Sequence, residues 1–265
     1  MSYFDTETAV IARGDIWEGH ISGAWNIGDN PNGGYMLSVL LRAVGEVIEH
    51  PDPLSITAHF LRPGVPDEPC QVHVDVLKRG RMLTTVSASL VQRDKTALQV
   101  LLAMGDLGQS VGVSDQISIP APELPAPDAC VPRSGAAQGI DLPLMDRVEV
   151  RLHPDQAQAG QAGAAEISGW IRQADGAPTS ALMLPLFADA FPPSPFGLLG
   201  VVGWVPTLEL TVHVRRRPAP GWIKGQLKTA DLAGGRMIES GALWDADDRL
   251  VAQCRQLGLV MNRSD

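Results

Sequence analysis

The sequence predicts an α+β fold in which one unit, a helix followed by a long antiparallel sheet, occurs twice in the same chain. Three observations predict it: helical spacing followed by strand-like runs in the first half, the same order of elements in the second half, and a proline-rich segment between them. A sheet wrapped around a single helix leaves a sheet edge exposed, and a second such unit can cover it. We therefore expect units at residues 1–108 and 144–265, joined by a linker at residues 109–143.

The first half of the chain has one helical pattern followed by four strand-like patterns. A helix is predicted over residues 31–50, because apolar residues recur there at spacings of three and four. Asn30 is its predicted N-cap and Pro31 its first residue. A short strand is expected before the helix at residues 21–27, and the later strands are predicted at residues 54–61, 71–78, 83–91 and 97–104.

The second half repeats this order of elements. A helix is predicted over residues 180–191, where Pro192 and Pro193 end it, and Pro185 predicts either a kink or a later start of the helix. The later strands are predicted at residues 207–215, 222–228, 237–244 and 250–261, and earlier strands at residues 148–152 and 166–172.

A short internal repeat supports the two-unit interpretation. Gly80-Arg81-Met82 recurs as Gly235-Arg236-Met237, and residues 87–90 match residues 240–243. The register of this repeat places Ala103 opposite Gln256, and it places Arg42 near the position of Asp189. The first half therefore lacks the polar side chains that the second half carries at these positions.

Composition excludes several classes of protein. Lys and Arg total 21 against 30 Asp and Glu, so the net charge of −9 argues against a nucleic-acid-binding protein. The chain has neither a signal-peptide pattern at its start nor an apolar run long enough for a transmembrane helix. We expect a cytoplasmic protein that does not bind membranes.

The three cysteines predict neither a metal site nor a disulfide framework. Cys70, Cys130 and Cys254 are an odd number at wide spacings. Free thiols in a reducing compartment are the interpretation that fits this pattern. No metal is expected.

Three segments carry a resemblance to a known family. They are Asn32-Gly33-Gly34-Tyr35, the run from Phe60 to Gly64 (Phe-Leu-Arg-Pro-Gly), and a set of polar residues in the second half. Together they resemble the double-hotdog acyl-CoA thioesterases, the bacterial thioesterase II (TesB-like) family. The resemblance implies a double hotdog, two tandem helix-wrapped antiparallel sheets in one chain. It also implies hydrolysis of acyl-CoA without a cofactor, and a homo-oligomer.

The resemblance assigns roles to eight residues. In this family an Asp, a Thr and a Gln hold the hydrolytic water, and Asp189, Thr207 and Gln256 occupy those positions here. Asp189 would be the general base, and apolar neighbours should raise its pKa. The expected substrate-binding residues are Gly33, Gly34, Tyr35, Arg62 and Arg215. Backbone N–H groups near Gly33 and Gly34 are candidates for the oxyanion hole, and an arginine could contact a coenzyme A phosphate.

Other interpretations stay open at this point. A double-hotdog protein could bind acyl-CoA without hydrolysing it, since fold does not fix activity. An enoyl-CoA hydratase of the hotdog type is suggested by residues 28–31, but the His that this chemistry needs is missing from the motif. Gln253 is an alternative to Gln256, and the run Arg215-Arg216-Arg217 could be a solvated strand end.

Overall fold

The structure is a computed structural model that describes residues 2–110, 112–113, 117–201, 203 and 205–261. Its helices are α1 (Tyr3–Glu7), α2 (Gly33–Val47), α3 (Gly135–Gln138), α4 (Leu184–Ala188) and α5 (Phe196–Leu199). Its strands are β1 (Ile11–Arg13), β2 (Ile16–Ile21), β3 (Asn26–Ile27), β4 (Asn30–Pro31), β5 (Asp52–Phe60), β6 (Glu68–Arg79), β7 (Leu83–Gln92), β8 (Lys95–Gly105), β9 (Val131–Pro132), β10 (Val148–Leu152), β11 (Glu166–Gln173), β12 (Thr207–Val214), β13 (Ile223–Ala233), β14 (Arg236–Trp244) and β15 (Leu250–Leu259). No helix in the described ranges is long and apolar enough to cross a membrane.

Thirteen of these strands form one continuous antiparallel sheet. Its order is β1-β2-β6-β7-β8-β5-β12-β15-β14-β13-β11-β10-β9, so the strands of the first half lie on one side and those of the second half on the other. The halves join where β5 pairs with β12, from His59 opposite Glu209 to Ser55 opposite His213. The two sheets predicted from the sequence are therefore fused, because each half uses its free edge strand to satisfy the backbone groups of the other.

Most predicted strands are confirmed. The structure has strands at all eight long runs and at both earlier runs of the second half, with ends that differ by a few residues. The strand predicted at residues 21–27 is wrong: β2 ends at Ile21, and a 3-10 turn over Gly23–Trp25 follows. The Ser22 hydroxyl caps this turn, and the Trp25 ring is buried completely, which fixes the turn in place of an extended chain.

The central helix α2 begins two residues later than predicted. Its N-cap is Asn32, whose side chain accepts a hydrogen bond from the Tyr35 N–H, whereas Asn30 and Pro31 form β4. The helix packs against β2, β6, β7 and α4. It therefore connects the core of the first half to the second half.

The second helix is shorter than the range of residues 180–191 that the sequence pattern predicts. A 3-10 turn over Ala181–Met183 precedes α4, in which Pro185 lies in the first turn. Of the two alternatives for Pro185, the structure has the later start, because proline is well tolerated where its missing N–H would have no helical partner. The helix ends at Ala188, and Asp189 is its C-cap residue.

Part of the predicted linker belongs to the fold of the second half. Strand β9 pairs with β10 at the sheet edge. The indole N–H groups of Trp170 and Trp244 donate to the carbonyls of Pro125 and Ile119, each at 2.9 Å. These contacts hold the segment along the second-half sheet, so it is more than a spacer.

Candidate active site

The N-terminus of α2 meets the C-terminus of α4 at the Asp189 carboxylate. Asp189 Oδ2 accepts hydrogen bonds from the Gly34 N–H at 2.8 Å and from Asn32 Nδ2 at 2.9 Å. Asn32 Nδ2 also lies 3.0 Å from the Asp189 carbonyl oxygen. A helix N-terminus favours a negative charge, so α2 provides a ready position for this carboxylate. The Gly34 N–H and the Asn32 amide therefore donate to the same carboxylate oxygen, Oδ2.

The Gly33-Gly34 pair permits this close approach. A Cβ atom on Gly34 would lie 2.7 Å from Leu186 Cα and 3.0 Å from Asp189 Cβ. A Cβ atom on Gly33 would lie 2.7 Å from the Phe60 ring and 3.2 Å from Asp189 Oδ2. Both distances to Asp189 are shorter than a comfortable contact. The glycines are therefore required for the backbone of α2 to reach the carboxylate.

We expect Gly34→Ala to separate α2 from α4. The added methyl group would press on the backbone at Leu186, which cannot move away cheaply, so we expect a loss of about 1–3 kcal/mol in the free energy of unfolding. Gly45→Ala in the same helix is the matched control, because a Cβ atom there meets nothing within 4 Å. That control should be neutral or stabilising by up to about 1 kcal/mol. Denaturant unfolding of both variants measures the difference, and equal stabilities would contradict the close packing.

Burial sets the ionisation of Asp189. Burial raises the pKa of this carboxyl, the hydrogen bonds from Gly34 and Asn32 and the Arg133 guanidinium oppose the rise, and the nearby charge of Glu239 adds to it, so that the resulting pKa is about 6. Arg133 is itself buried and donates to the Ala190 carbonyl at 2.5 Å. A carboxyl with a pKa near neutrality can exchange protons in the physiological range, as a general base must.

Thr207 and Gln256, the other two predicted catalytic residues, form a buried polar row with Glu239. Thr207 Oγ1 donates to Gln256 Oε1 at 2.8 Å, and Gln256 Nε2 donates to Glu239 Oε1. Ser194 N–H donates to Glu239 Oε2 at 2.7 Å. The row runs across the face of the sheet that α4 covers. It fixes the directions in which the Thr207 hydroxyl and the Gln256 amide point.

The structure brings two of the three predicted catalytic residues into contact and places the third near their partner Glu239. Thr207 and Gln256 are in direct contact. Glu239, which contacts Gln256, is close enough to Asp189 for its charge to affect the carboxyl. Helix α4, which ends just before Asp189, packs against β12, β14 and β15, the three strands that carry this row.

Glu239 is the residue that sequence reasoning missed. Its side chain is 2% exposed, although it carries a charge. The signal was its position on β14: it lies on the same face as Met237 and Leu243, which are both buried. A charged residue at a core-facing position of a strand is unusual and indicates a special role.

The substrate-binding predictions divide into three groups. Gly33 and Gly34 are part of the site, as described above. Arg62 is exposed, two residues beyond Phe60, whose ring faces Gly33, and its guanidinium donates to the Thr96 carbonyl at 2.5 Å. It therefore lies at the rim of the site.

The structure does not bring Tyr35 and Arg215 to the site. The Tyr35 ring is fully buried and stacks on Trp25 at 4.9 Å, and its hydroxyl donates to the Glu7 carbonyl at 2.7 Å. It packs the core and cannot contact a substrate from there. Arg215 follows the last residue of β12, whose eight residues span about 25 Å from Thr207 at the other end.

Cys254 is the nucleophilic side chain nearest this row, and its chemistry argues against attack on a substrate. Burial raises the pKa of its thiol, and the charges of Glu239 and Asp189 raise it further. The thiol therefore stays protonated at neutral pH, whereas nucleophilic cysteines are thiolates.

The first half has an apolar pair where the second half has this polar row. Each terminal hairpin has a β-bulge beside its turn, and the first pairs beyond the bulges are Leu90 with Leu98 and Leu243 with Ala252. Four residues further along, Val86 faces Leu102 in the first half, and Glu239 faces Gln256 in the second. The sequence repeat, which placed Ala103 opposite Gln256, was wrong by one residue on this strand because the turn of the second hairpin is one residue longer: Leu98 follows Leu90 by eight residues, whereas Ala252 follows Leu243 by nine.

Comparisons with known proteins agree with this architecture. The acyl-CoA thioesterase N-terminal domain matches residues 21–107, and the acyl-CoA thioesterase C-terminal domain matches residues 127–260. A crystal structure from Thermobifida fusca YX, provisionally named a thioesterase II, is 32% identical, with a TM-score of 0.88 over 99% of this chain and 98% of that one. An uncharacterized protein of Mycobacterium tuberculosis (strain ATCC 25618 / H37Rv) is 27% identical over 92% of this chain and 91% of its own length.

More distant structures are similar in fold alone. A protein of unknown function with a hot dog fold from Alicyclobacillus acidocaldarius is 20% identical, with a TM-score of 0.86 over 98% of both chains. The acyl-CoA thioesterase II TesB2 of Mycobacterium marinum is 19% identical, with a TM-score of 0.75 over 98% of both chains. The fold is therefore of the hotdog type.

Proposed function

Because the chain belongs to the acyl-CoA thioesterase family, we propose that it hydrolyses acyl-CoA to a free acid and coenzyme A through a water held by Asp189, Thr207 and Gln256. One observation carries the proposal: a buried polar row containing Gln256 takes the place that an apolar pair, Val86 and Leu102, occupies in the first half. The first half shows that apolar side chains can pack at this position of the fold. A stability role alone therefore does not account for the polar residues.

The water is held by complementary donors and acceptors. The Thr207 hydroxyl hydrogen points to Gln256 Oε1, so Thr207 Oγ1 can accept one hydrogen of the water. Asp189 Oδ1 accepts the other. The Gln256 amide donates one N–H to Glu239 and has a second N–H that orients the water oxygen.

The reaction then needs one proton transfer in each direction. As the water oxygen bonds to the thioester carbon, Asp189 takes its proton, and the carbonyl oxygen becomes an anion. The Gly34 N–H is already bonded to Asp189, so the proposed donor to this anion is the Gly33 N–H in the first turn of α2. When the carbon–sulfur bond breaks, the sulfur takes the proton from Asp189, and the carboxylate is restored.

We also propose that the two halves are tandem hotdog units with separate tasks. Two observations support this: separate N- and C-terminal domain models match the halves, and the sheet is continuous only through the β5–β12 pair. The second unit supplies Asp189, Thr207 and Gln256. The first supplies the N-terminus of α2 and Arg62, whose exposed guanidinium suits a coenzyme A phosphate.

The proposed function is tested by release of free coenzyme A thiol from short, medium and long acyl-CoA substrates. We expect turnover with at least one chain length. Saturable binding of every acyl-CoA without thiol release would contradict hydrolysis and support an acyl-CoA-binding protein. If no acyl-CoA is bound and no thiol is released, both the hydrolysis and the acyl-CoA-binding hypotheses are contradicted.

The pH dependence follows from the state of Asp189. A general base must be ionised, so we expect kcat/KM to rise with pH, with a midpoint near the Asp189 pKa of about 6, and to level off above it. The profile is measured between about pH 4 and 9 with a thiol reagent that works throughout this range. A flat profile through pH 6 would contradict the base role of Asp189.

A further inference from the structure

We propose that Glu239 is a positioning residue for this reaction: its buried carboxylate fixes the Gln256 amide, and through it the Thr207 hydroxyl, in the orientation that holds the water, and its charge lies near Asp189. This inference rests on the proposed function. Glu239 does not need to touch the substrate, because it acts through Gln256.

The contacts of Glu239 determine which way the Gln256 amide points. A carboxylate only accepts hydrogen bonds, so the side chain atom of Gln256 that contacts it must be the amide nitrogen. The amide oxygen then faces Thr207 and must accept its hydroxyl hydrogen. Without Glu239 the amide could turn over, and Thr207 Oγ1 would then no longer be set to accept a hydrogen from the water.

Glu239 is itself held from the other side. Its Oε2 accepts the Ser194 N–H, and the Ser194 hydroxyl lies 2.8 Å from the Thr229 hydroxyl. Cross-strand pairing places Thr229 and Gln256 directly beside Glu239 on the neighbouring strands. The carboxylate is therefore fixed between two strands and the segment after α4.

Stability does not explain a charge at this position. Burying a carboxylate costs several kcal/mol unless its partners compensate for the lost water. The equivalent position in the first half is Val86, which is buried and faces Leu102. Since the apolar pair of Val86 and Leu102 packs at the equivalent position of the first half, the charge at Glu239 points to a role in the reaction.

Several ionisable groups surround Glu239 and Asp189. Asp189 lies at the end of α4, the Cys254 thiol on β15, and the Arg133 guanidinium next to β9. Burial raises the pKa of Glu239, whereas donors from Ser194 and Gln256 lower it. Both oxygens of Glu239 accept N–H donors, which favours its charged form, and a charge at Glu239 opposes ionisation of Asp189.

Glu239→Gln is the first test. A glutamine has the same shape, but one of its two polar ends is a donor, so it cannot accept from both Ser194 and Gln256. We expect kcat/KM to fall about tenfold, the effect of losing one well-placed hydrogen bond. We also expect the midpoint of the pH profile to move to lower pH, because the charge near Asp189 is gone.

Two further variants separate the roles. Glu239→Asp keeps the charge but is too short for the contact with Gln256, so it should lose activity while the pH midpoint stays close to that of the parent. Asp245→Asn is the control, because its carboxylate is also fully buried but is bonded to Arg249 at the turn after β14. That control should lower the melting temperature and leave the pH midpoint unchanged.

A measurement that does not depend on activity keeps this inference distinct from the proposed function. Carbon NMR of aspartate-labelled protein follows the Asp189 carboxyl directly, with Asp189→Asn for assignment. A lower Asp189 pKa in Glu239→Gln would support the inference even if no acyl-CoA is hydrolysed. An unchanged pKa and unchanged kcat/KM in an active, folded Glu239→Gln protein would overturn it and leave the proposed function intact.

Discussion

Asp189→Asn is expected to lower kcat for acyl-CoA hydrolysis by roughly 10²-fold or more, the usual contribution of a general base. The hydrogen bonds from Gly34 and Asn32 are both accepted by Oδ2, so an asparagine whose oxygen takes that place keeps these two contacts. The amide nitrogen then replaces Oδ1, the atom that would accept the proton from water. The substitution therefore removes the base and preserves the packing of α2 on α4.

The same variant is expected to be more stable than the parent protein above pH 6. The folded-state pKa of about 6 is higher than the ordinary value of 3.8, so ionisation of Asp189 opposes folding, and its cost develops as pH rises from 3.8 to 6. The difference corresponds to about 3 kcal/mol at most. Melting temperatures of the two proteins should converge below pH 4 and separate above pH 6, with the variant higher.

A matched control separates the site from general effects of the change. Asp231→Asn makes the same substitution at an exposed position of β13 in the same half. It should change neither kcat nor the melting temperature. Near-parental turnover by Asp189→Asn would remove Asp189 from the mechanism, whatever its effect on stability.

The strands were predictable because the sheet has a buried face and an exposed face. Alternation in β7, for example, places Val86, Ala88 and Leu90 in the core and leaves the residues between them half-buried. The helix ends were harder. Both Asn30 and Asn32 can cap a helix, and only the contact with the end of α4 selects Asn32. That contact is made across 157 residues of sequence, so no local pattern contains it.

The site was predictable where a family motif fixed the residue type. Asp189, Thr207 and Gln256 came from the resemblance. The structure puts Thr207 and Gln256 in contact, and the catalytic role of all three stays a prediction. Tyr35 and Arg215 came from adjacency to a motif or from charge, and neither property tells whether a side chain points into the core or lies at the far end of a strand. Sequence comparison within the chain missed Glu239 because the matched residues of the repeat, 87–90 with 240–243, begin one position after the pair formed by Val86 and Glu239.

The double variant Glu239→Val with Gln256→Leu is expected to lower kcat/KM by roughly 10²- to 10³-fold while the protein stays folded. It copies into the second half the pair that the first half already has, Val86 facing Leu102. Loss of a water-holding amide and of the group that orients it removes interactions needed in the transition state. Thiol release and denaturant unfolding together measure the two effects.

The single variant Gln256→Leu should be less stable than the double variant. Gln256→Leu alone leaves the Glu239 carboxylate buried without the amide that contacts it, and removing one partner of a buried charge typically costs about 3–5 kcal/mol. Adding Glu239→Val removes that charge, so the double variant should be more stable than Gln256→Leu and comparable to the parent. The two substitutions should therefore be strongly non-additive.

This comparison decides why the second half is polar. If the double variant is stable and inactive, the fold has no need of Glu239 and Gln256, and the reaction does. If the double variant is as unstable as Gln256→Leu, the polar row is needed for stable packing of the second half. The contrast with Val86 and Leu102 then no longer argues for function. An active double variant would place the chemistry elsewhere, because no water could then be held between Asp189 and Gln256.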